Sequence, residues 1–187
     1  MNEIYYIPDV FTALESDAYY THFSTLNSLK QGTVKIFGKY HRTPRLESLH
    51  GTFPFSYNYS GQQLNALPFT PALTQIKSKV EQITGNQFNC ALINFYRNGL
   101  DSNGWHADDE KELGPNPVIA SVSFGAERTF KIRSNDGTET YEWRLASGSL
   151  LFMGKTVQLH YKHCIPKQPK IDKGRINITF RSMINIE

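Results

Sequence analysis

Cysteine is scarce in this chain: among 187 residues only Cys90 and Cys164 carry a thiol, and they form no CxxC pair. That excludes a disulfide framework and a thiolate zinc site, so both are expected as free thiols. No run approaches the roughly 18–20 consecutive apolar residues of a membrane span, and MNEIYYIPDV lacks the basic and continuous apolar regions of a secretory signal. The expectation is an intracellular protein without a membrane partner, cytoplasmic in a bacterium and nuclear in a eukaryote. Net charge is also small. Twenty Lys and Arg against 17 Asp and Glu give +3, so any affinity for a polyanion depends on where the cations sit. Internal repeats, low-complexity tracts and linkers are absent too, which leaves one domain, 1–187, expected as a monomer.

What the chain does have is aromatic and apolar bulk, 13% and 39% of its residues, enough for a substantial core. Residues 12–30 read as a helix, with Thr12 and Glu15 as a capping box and Leu14, Ala18, Tyr19, Phe23, Leu26 and Leu29 at helical spacing. A second helix is predicted from Pro71 to Gly85, capped by Thr70 and stopped by Gly85. From residue 88 the period becomes two, in apolar runs at 89–96, 117–124, 128–133, 139–145, 149–153, 157–164 and 175–182. Turns are expected at Ser134-Asn135-Asp136-Gly137 and at Ser147-Gly148. The fold class is therefore mixed α/β but mainly β, a jelly roll or related double sheet with N-terminal helices packed on one side.

Three constellations carry chemistry. In extended backbone His106 and Asp108 face the same way, so they can present an imidazole and a carboxylate to one point. A second histidine from the strand-like run Gln158 to Ile165 would complete two histidines and one carboxylate, the ligand set of non-haem Fe(II) oxygenases. His160 and His163 are both available, and a three-residue offset puts them on opposite faces. RINITFR (175–181) alternates throughout: Arg175, Asn177, Thr179 and Arg181 share one face, Ile176, Ile178 and Phe180 the other. Buried arginines there need anions such as a dicarboxylate, whereas an edge strand would hold them in water. Asn94 and Tyr96 share a face in NFYRNG and could complete a carboxylate pocket.

NFYRNG, GWHADDE, PVIASVSFGAERTF, SGSLLFM, HYKHCIP and RINITFR, in that order, resemble the AlkB family of Fe(II)- and 2-oxoglutarate-dependent nucleic-acid dealkylation dioxygenases. IFGKYHRTPR (36–45) and Tyr57-Asn58-Tyr59-Ser60-Gly61 resemble its substrate-lid segments. The resemblance implies a double-stranded β-helix with a catalytic core over 88–182 and a nucleotide-recognition lid over about 30–65. It implies oxidative demethylation of bases such as 1-methyladenine and 3-methylcytosine, with Fe(II), 2-oxoglutarate and O2 as cofactor and co-substrates. His106, Asp108 and His163 match the iron ligands. Arg175, helped by Asn94 and Tyr96, matches the partner of the distal carboxylate of 2-oxoglutarate. Arg181 matches the residue near its chelating carboxylate, and Asn177 and Thr179 line the same pocket.

For the substrate, the resemblance places Tyr59 and His106 on either side of an extruded base, flanked by Tyr57 and Ser60. Asp109 and Glu110 match an acidic pair suited to a cationic lesion. Phe37 is the candidate wedge, and Arg45 closes the lid segment. Lys30, Lys35, Lys39, Arg42 and Arg45 lie between Asp17 and Glu47 with no acidic residue among them. Arg144, Lys155, Lys162, Lys167 and Lys170 do the same between Glu142 and Asp172. These stretches are where a phosphate backbone would lie. The expected partner is alkylated DNA, with RNA or a non-nucleic-acid substrate as alternatives.

Overall fold

The computed structural model of the chain describes residues 3–36, 38–59 and 62–184, excluding the side chains of residues 35, 36, 57–59 and 62–64. The elements are β1 (Ile4–Ile7), α1 (Ala13–Ser24), β2 (Lys30–Ile36), β3 (Lys39–Gly51), β4 (Ser56–Tyr59), β5 (Gln62–Asn65), β6 (Leu67–Pro68) and α2 (Pro71–Thr84). After them come β7 (Cys90–Tyr96), β8 (Asn103–His106), β9 (Ile119–Gly125), β10 (Arg128–Ser134), β11 (Thr140–Leu145), β12 (Ser149–Met153), α3 (Val157–His160), β13 (Tyr161–Ile165) and β14 (Arg175–Arg181).

Among the described residues the strands form a large sheet ordered β1-β12-β9-β14-β7-β3-β2, with β6 beside β3, and a smaller sheet ordered β11-β10-β13-β8. Chain neighbours β11 and β12 belong to different sheets. The expected turn at Ser147-Gly148 is present and carries the chain from one sheet to the other. Strand β14 pairs antiparallel with both β7 and β9, so RINITFR is central rather than an edge strand. All seven of its residues are buried.

Both faces of that sheet are covered, and the alternation in sequence decides which residue meets which layer. Ala91, Ile93, Ala120, Val122, Phe124, Ile176, Ile178 and Phe180 form one cluster with Phe23 of α1 and Leu73, Ile76 and Val80 of α2. The two helices therefore pack on one side of the sheet, as expected. On the other side, Tyr96, Ile119, Leu151 and Met153 meet Phe130, Ile132 and Ile165 of the small sheet. The polar residues of β14 point into this second layer, where they line a cleft between the sheets.

Helix α2 agrees with its sequence signals: the Thr70 hydroxyl accepts from Leu73 N, and Gly85 closes the helix at φ 67°. Helix α1 has the expected capping box but ends at Ser24 rather than residue 30. Its last hydroxyls turn back, Ser24 Oγ donating to Thr21 O and Thr25 Oγ1 to Thr21 O and His22 O. Leu26 and Leu29 still pack on the core from outside the helix, whereas Leu14 is 83% exposed. The run 157–164 is also corrected, since its first four residues form the helical turn α3. Strand β3, thirteen residues long, carries no strand signal of its own, because KYHRTPRLESLHG contains a proline and few β-branched residues. It forms because Leu46 to Gly51 pair along β7.

Two stability predictions follow from these layers. Ile178→Ala removes a fully buried side chain from the helix-facing cluster and should cost about 2–5 kcal/mol in urea unfolding. His50 is buried on β3 between Ser48 Oγ and the Pro68 carbonyl, and burial holds its pKa below the usual 6.5. The unfolded chain then takes up the proton first, so stability should fall as pH drops below about 6.5. His50→Gln should flatten that part of the stability–pH curve.

Candidate metal centre

Two neighbouring strands of the small sheet bring the histidines into register: His163 on β13 is paired directly with His106 on β8. Their ring centroids are 4.2 Å apart, and the His163 ring stacks on Phe130 at 5.3 Å. Asp108 follows β8, is 1% exposed, and lies with Oδ1 3.9 Å from His106 Nε2. One ligand atom from each of His106, Asp108 and His163 falls within 4.8 Å of the others. His160, the alternative in the sequence, is exposed at the end of α3 and takes no part.

The donor set suits a divalent cation. Asp108 Oδ1 and His163 Nδ1 are buried without a hydrogen-bond partner. Such atoms are costly to leave unsatisfied. The other carboxylate oxygen, Oδ2, accepts from Arg181 Nη2 at 2.9 Å and Nε at 3.3 Å. Burial would raise the Asp108 pKa, but Arg181, His163 and His106 outweigh it and hold it at about 2. Burial pushes His163 down to about 3, helped by His106, and also lowers His106. At neutral pH the three therefore present one carboxylate and two neutral imidazoles, the protonation state a metal requires.

A network missed in the sequence fixes the tautomer of His106. Arg45 Nη1 donates to Asn103 Oδ1 at 3.0 Å, so the Asn103 amide turns its NH2 toward His106 Nε2, 3.2 Å away. Nδ1 carries the proton that it donates to Gly104 O at 2.8 Å, so Nε2 holds the lone pair, which a metal would take in place of the Asn103 contact. Arg45 Nε donates to Asn94 Oδ1 at 2.9 Å, and Nη2 pairs with Glu47. Burial raises the Glu47 pKa against the pull of Arg45. This corrects the expected place of Arg45: it is 3% exposed and sits behind the cleft residues Asn94 and Asn103, not on an open lid surface.

Beside the triad lies a receptor for an anion. Arg175 is 1% exposed, donates from Nη2 to Ser123 Oγ at 2.8 Å and has Tyr96 as a further polar neighbour that supports its charge, while Nε and Nη1 make no well-formed hydrogen bond within the protein. Burial lowers its pKa to about 10, which still leaves it charged at neutral pH. Arg128, buried nearby against the same Tyr96 ring, shows the contrast. It donates to Gln168 Oε1 and to the carbonyls of Asn98, Asp101 and Pro166, so its capacity is spent on protein. Asn177 donates to Ser121 Oγ at 2.7 Å and accepts from Thr179 at 3.1 Å.

One narrow cleft, with a cavity volume of about 40 Å³, is lined by His106, Asp108 and His163 together with Asn94, Tyr96, Arg175, Asn177, Thr179 and Arg181. These are all nine residues that the sequence singled out for iron and 2-oxoglutarate. The substrate residues are less gathered. Asp109 is exposed and borders a neighbouring depression with Ala107 and Lys162, and Glu110 is half-buried. Tyr57 and Tyr59 belong to β4, their side chains outside the described part, and Phe37 and Ser60 lie outside the described residues. Cys90 and Cys164 are free and buried, as expected, with burial pushing the Cys90 thiol up to about 12.

A jelly roll that holds two histidines and a carboxylate next to a charged, under-bonded arginine is built for metal-dependent oxygenation with an anionic co-substrate. The model of the 2OG-Fe(II) oxygenase superfamily matches residues 3–181. The chain is 40% identical over 159 residues to human DNA oxidative demethylase ALKBH2, covering 81% of this chain and 61% of that protein. It is 41% identical over 149 residues to rat alpha-ketoglutarate-dependent dioxygenase alkB homolog 3, covering 75% and 50%. The structure of OsALKBH1 shares the fold, with a TM-score of 0.64 at 16% identity over 97% of this chain and 99% of that one. The chain belongs to the 2OG-Fe(II) oxygenase superfamily and, within it, to the AlkB family. The cofactor and co-substrates of that family are Fe(II), 2-oxoglutarate and O2. The chain spans half to two-thirds of the length of these relatives.

Removing Arg45 tests the network. Arg45→Met leaves Glu47 as an uncompensated buried carboxylate, and urea unfolding should show a loss of about 3–5 kcal/mol.

Proposed function

We propose that the protein oxidatively demethylates N-alkylated bases such as 1-methyladenine and 3-methylcytosine in DNA, converting 2-oxoglutarate to succinate and releasing formaldehyde. The observation that carries this reading is Arg175, charged, buried and under-bonded, in the same cleft as the His106–Asp108–His163 cluster. Similarity to a DNA oxidative demethylase supports the choice of substrate.

In this reading His106, Asp108 and His163 would hold the iron with two imidazoles and one carboxylate, a donor set suited to an oxygenase. Arg175 takes the distal carboxylate of 2-oxoglutarate through Nε and Nη1, with charge-assisted bonds to groups that otherwise lack partners. The Asn94 oxygen is turned toward Arg45, so its NH2 is the group left to offer a ligand. Arg181 keeps Asp108 ionised and stands beside the chelating carboxylate of the co-substrate. Bound Fe(II) and 2-oxoglutarate supply, with O2, the oxidising power that hydroxylates the N-methyl carbon. The hydroxymethyl group leaves as formaldehyde, and the ring nitrogen regains its hydrogen or lone pair.

The chain presents the substrate in two parts. The lid over about 30–65 holds the base: Tyr59 stacks on it opposite His106, Tyr57 and Ser60 flank it, and Phe37 fills the gap in the strand. Asp109 and Glu110 favour a cationic lesion over an undamaged base. Exposed Lys30, Lys39, Arg42, Lys155, Lys162, Lys167 and Lys170 face the phosphates, so affinity should fall steeply with salt. Buried Arg45 orients Asn94 and Asn103 and makes no phosphate contact.

The test is anaerobic loading with Fe(II), then O2 and 2-oxoglutarate with oligonucleotides carrying 1-methyladenine, following succinate, formaldehyde and restored adenine by mass spectrometry. Turnover that requires the lesion supports the reading, while succinate without loss of methyl groups overturns the substrate. Asp108→Ala should abolish formaldehyde release with the fold retained. Arg175→Met should raise the KM for 2-oxoglutarate about thirtyfold or more, as loss of a buried charge partner does.

A further inference from the structure

Helix α3 interrupts what the sequence writes as a strand, and the interruption has a use. Gln158 and His163 are five residues apart, so in unbroken β structure they would face opposite ways. The single helical turn swings Gln158 inward, where it is 4% exposed and its Oε1 accepts from the backbone N–H of Asp108 at 2.9 Å. Its Nε2 donates to Met153 Sδ at 3.6 Å, which fixes the orientation of the amide. The turn is itself anchored from two sides. Glu3 Oε2 accepts from Thr156 N and Oγ1, both at 2.8 Å. Asn135 donates from N to His160 O and from Nδ2 to Leu159 O, both at 2.9 Å.

Asp108 is thus held at two ends. Arg181 binds Oδ2, Gln158 binds the backbone, and Oδ1 is left toward the histidines. We propose that Gln158 is a positioning residue of the metal centre: by accepting from Asp108 N it sets where the ligand carboxylate stands, and with it the affinity for the metal. The proposal rests on reading His106, Asp108 and His163 as the ligands. Hydrogen-bond partners of metal ligands typically govern affinity by about 10–100-fold, and Gln158 acts on the backbone from which such a ligand projects.

The experiment uses the full chain stripped of metal and titrated with Co(II), followed by its visible absorption, with the melting temperature of the metal-free protein measured on the same samples. Gln158→Met keeps the length of the side chain but removes the carbonyl, and it should weaken Co(II) binding about tenfold or more. Gln158→Glu retains an acceptor at the same reach and should restore most of that affinity. If Gln158→Met does not fold, Gln158→Asn, which withdraws the acceptor, takes its place. Asp108→Ala tests the triad separately: if it binds Co(II) like the unmodified chain, the ligand assignment itself fails. If Asp108→Ala loses binding while the Gln158 variants lower only the melting temperature, Gln158 is a structural residue and the proposal is overturned.

Discussion

Two guanidinium groups sunk between two sheets set the terms for the rest of the site. Strand β14 is covered on both faces, so Arg175 and Arg181 are almost wholly withdrawn from bulk water. A charge in that position demands a counter-charge or neutralisation. Arg181 finds Asp108, and the pair places one carboxylate oxygen toward the histidines. Arg175 finds a hydroxyl and an aromatic face, and its remaining donors define the side on which an anion enters. The same burial that makes the arginines demanding also depresses the histidines, which keeps their nitrogens free of protons for a metal.

Much of this was legible in the residues. A period of two in RINITFR divides the strand between core and cleft, and that division holds at every position. NFYRNG behaves in the same way, with Phe95 packed on the helix-side core and Asn94 and Tyr96 at the cleft. The choice between His160 and His163 was not open to periodicity, because α3 ends between them. Resemblance favoured His163, which is the histidine placed opposite His106.

The rest was hidden for physical reasons. Arg45, Glu47 and Asn103 matter through contacts between β3, β7 and β8, and no local spacing joins residues 45, 94 and 103. Gln158 was hidden by a helical turn too short to show a period. Arg128 stood within a quoted motif, yet its use as a clamp on the carbonyls of Asn98, Asp101 and Pro166 depends on loops that meet only in the folded chain. Strand β3 was missed because strand propensity is weak when the partner strand supplies the pairing.

The placement of β14 has a consequence for the order of assembly. It is the last of the described strands in sequence, yet it sits between β9 and β7 in the middle of the large sheet. Its neighbours are synthesised first and must wait for it, a non-local closure that slows folding. Until it inserts, Arg181 is not beside Asp108 and the cleft lacks its floor. Before β14 inserts, the chain has the histidines but not the finished pocket, so a metal held at that stage would meet a carboxylate that no arginine yet keeps in place.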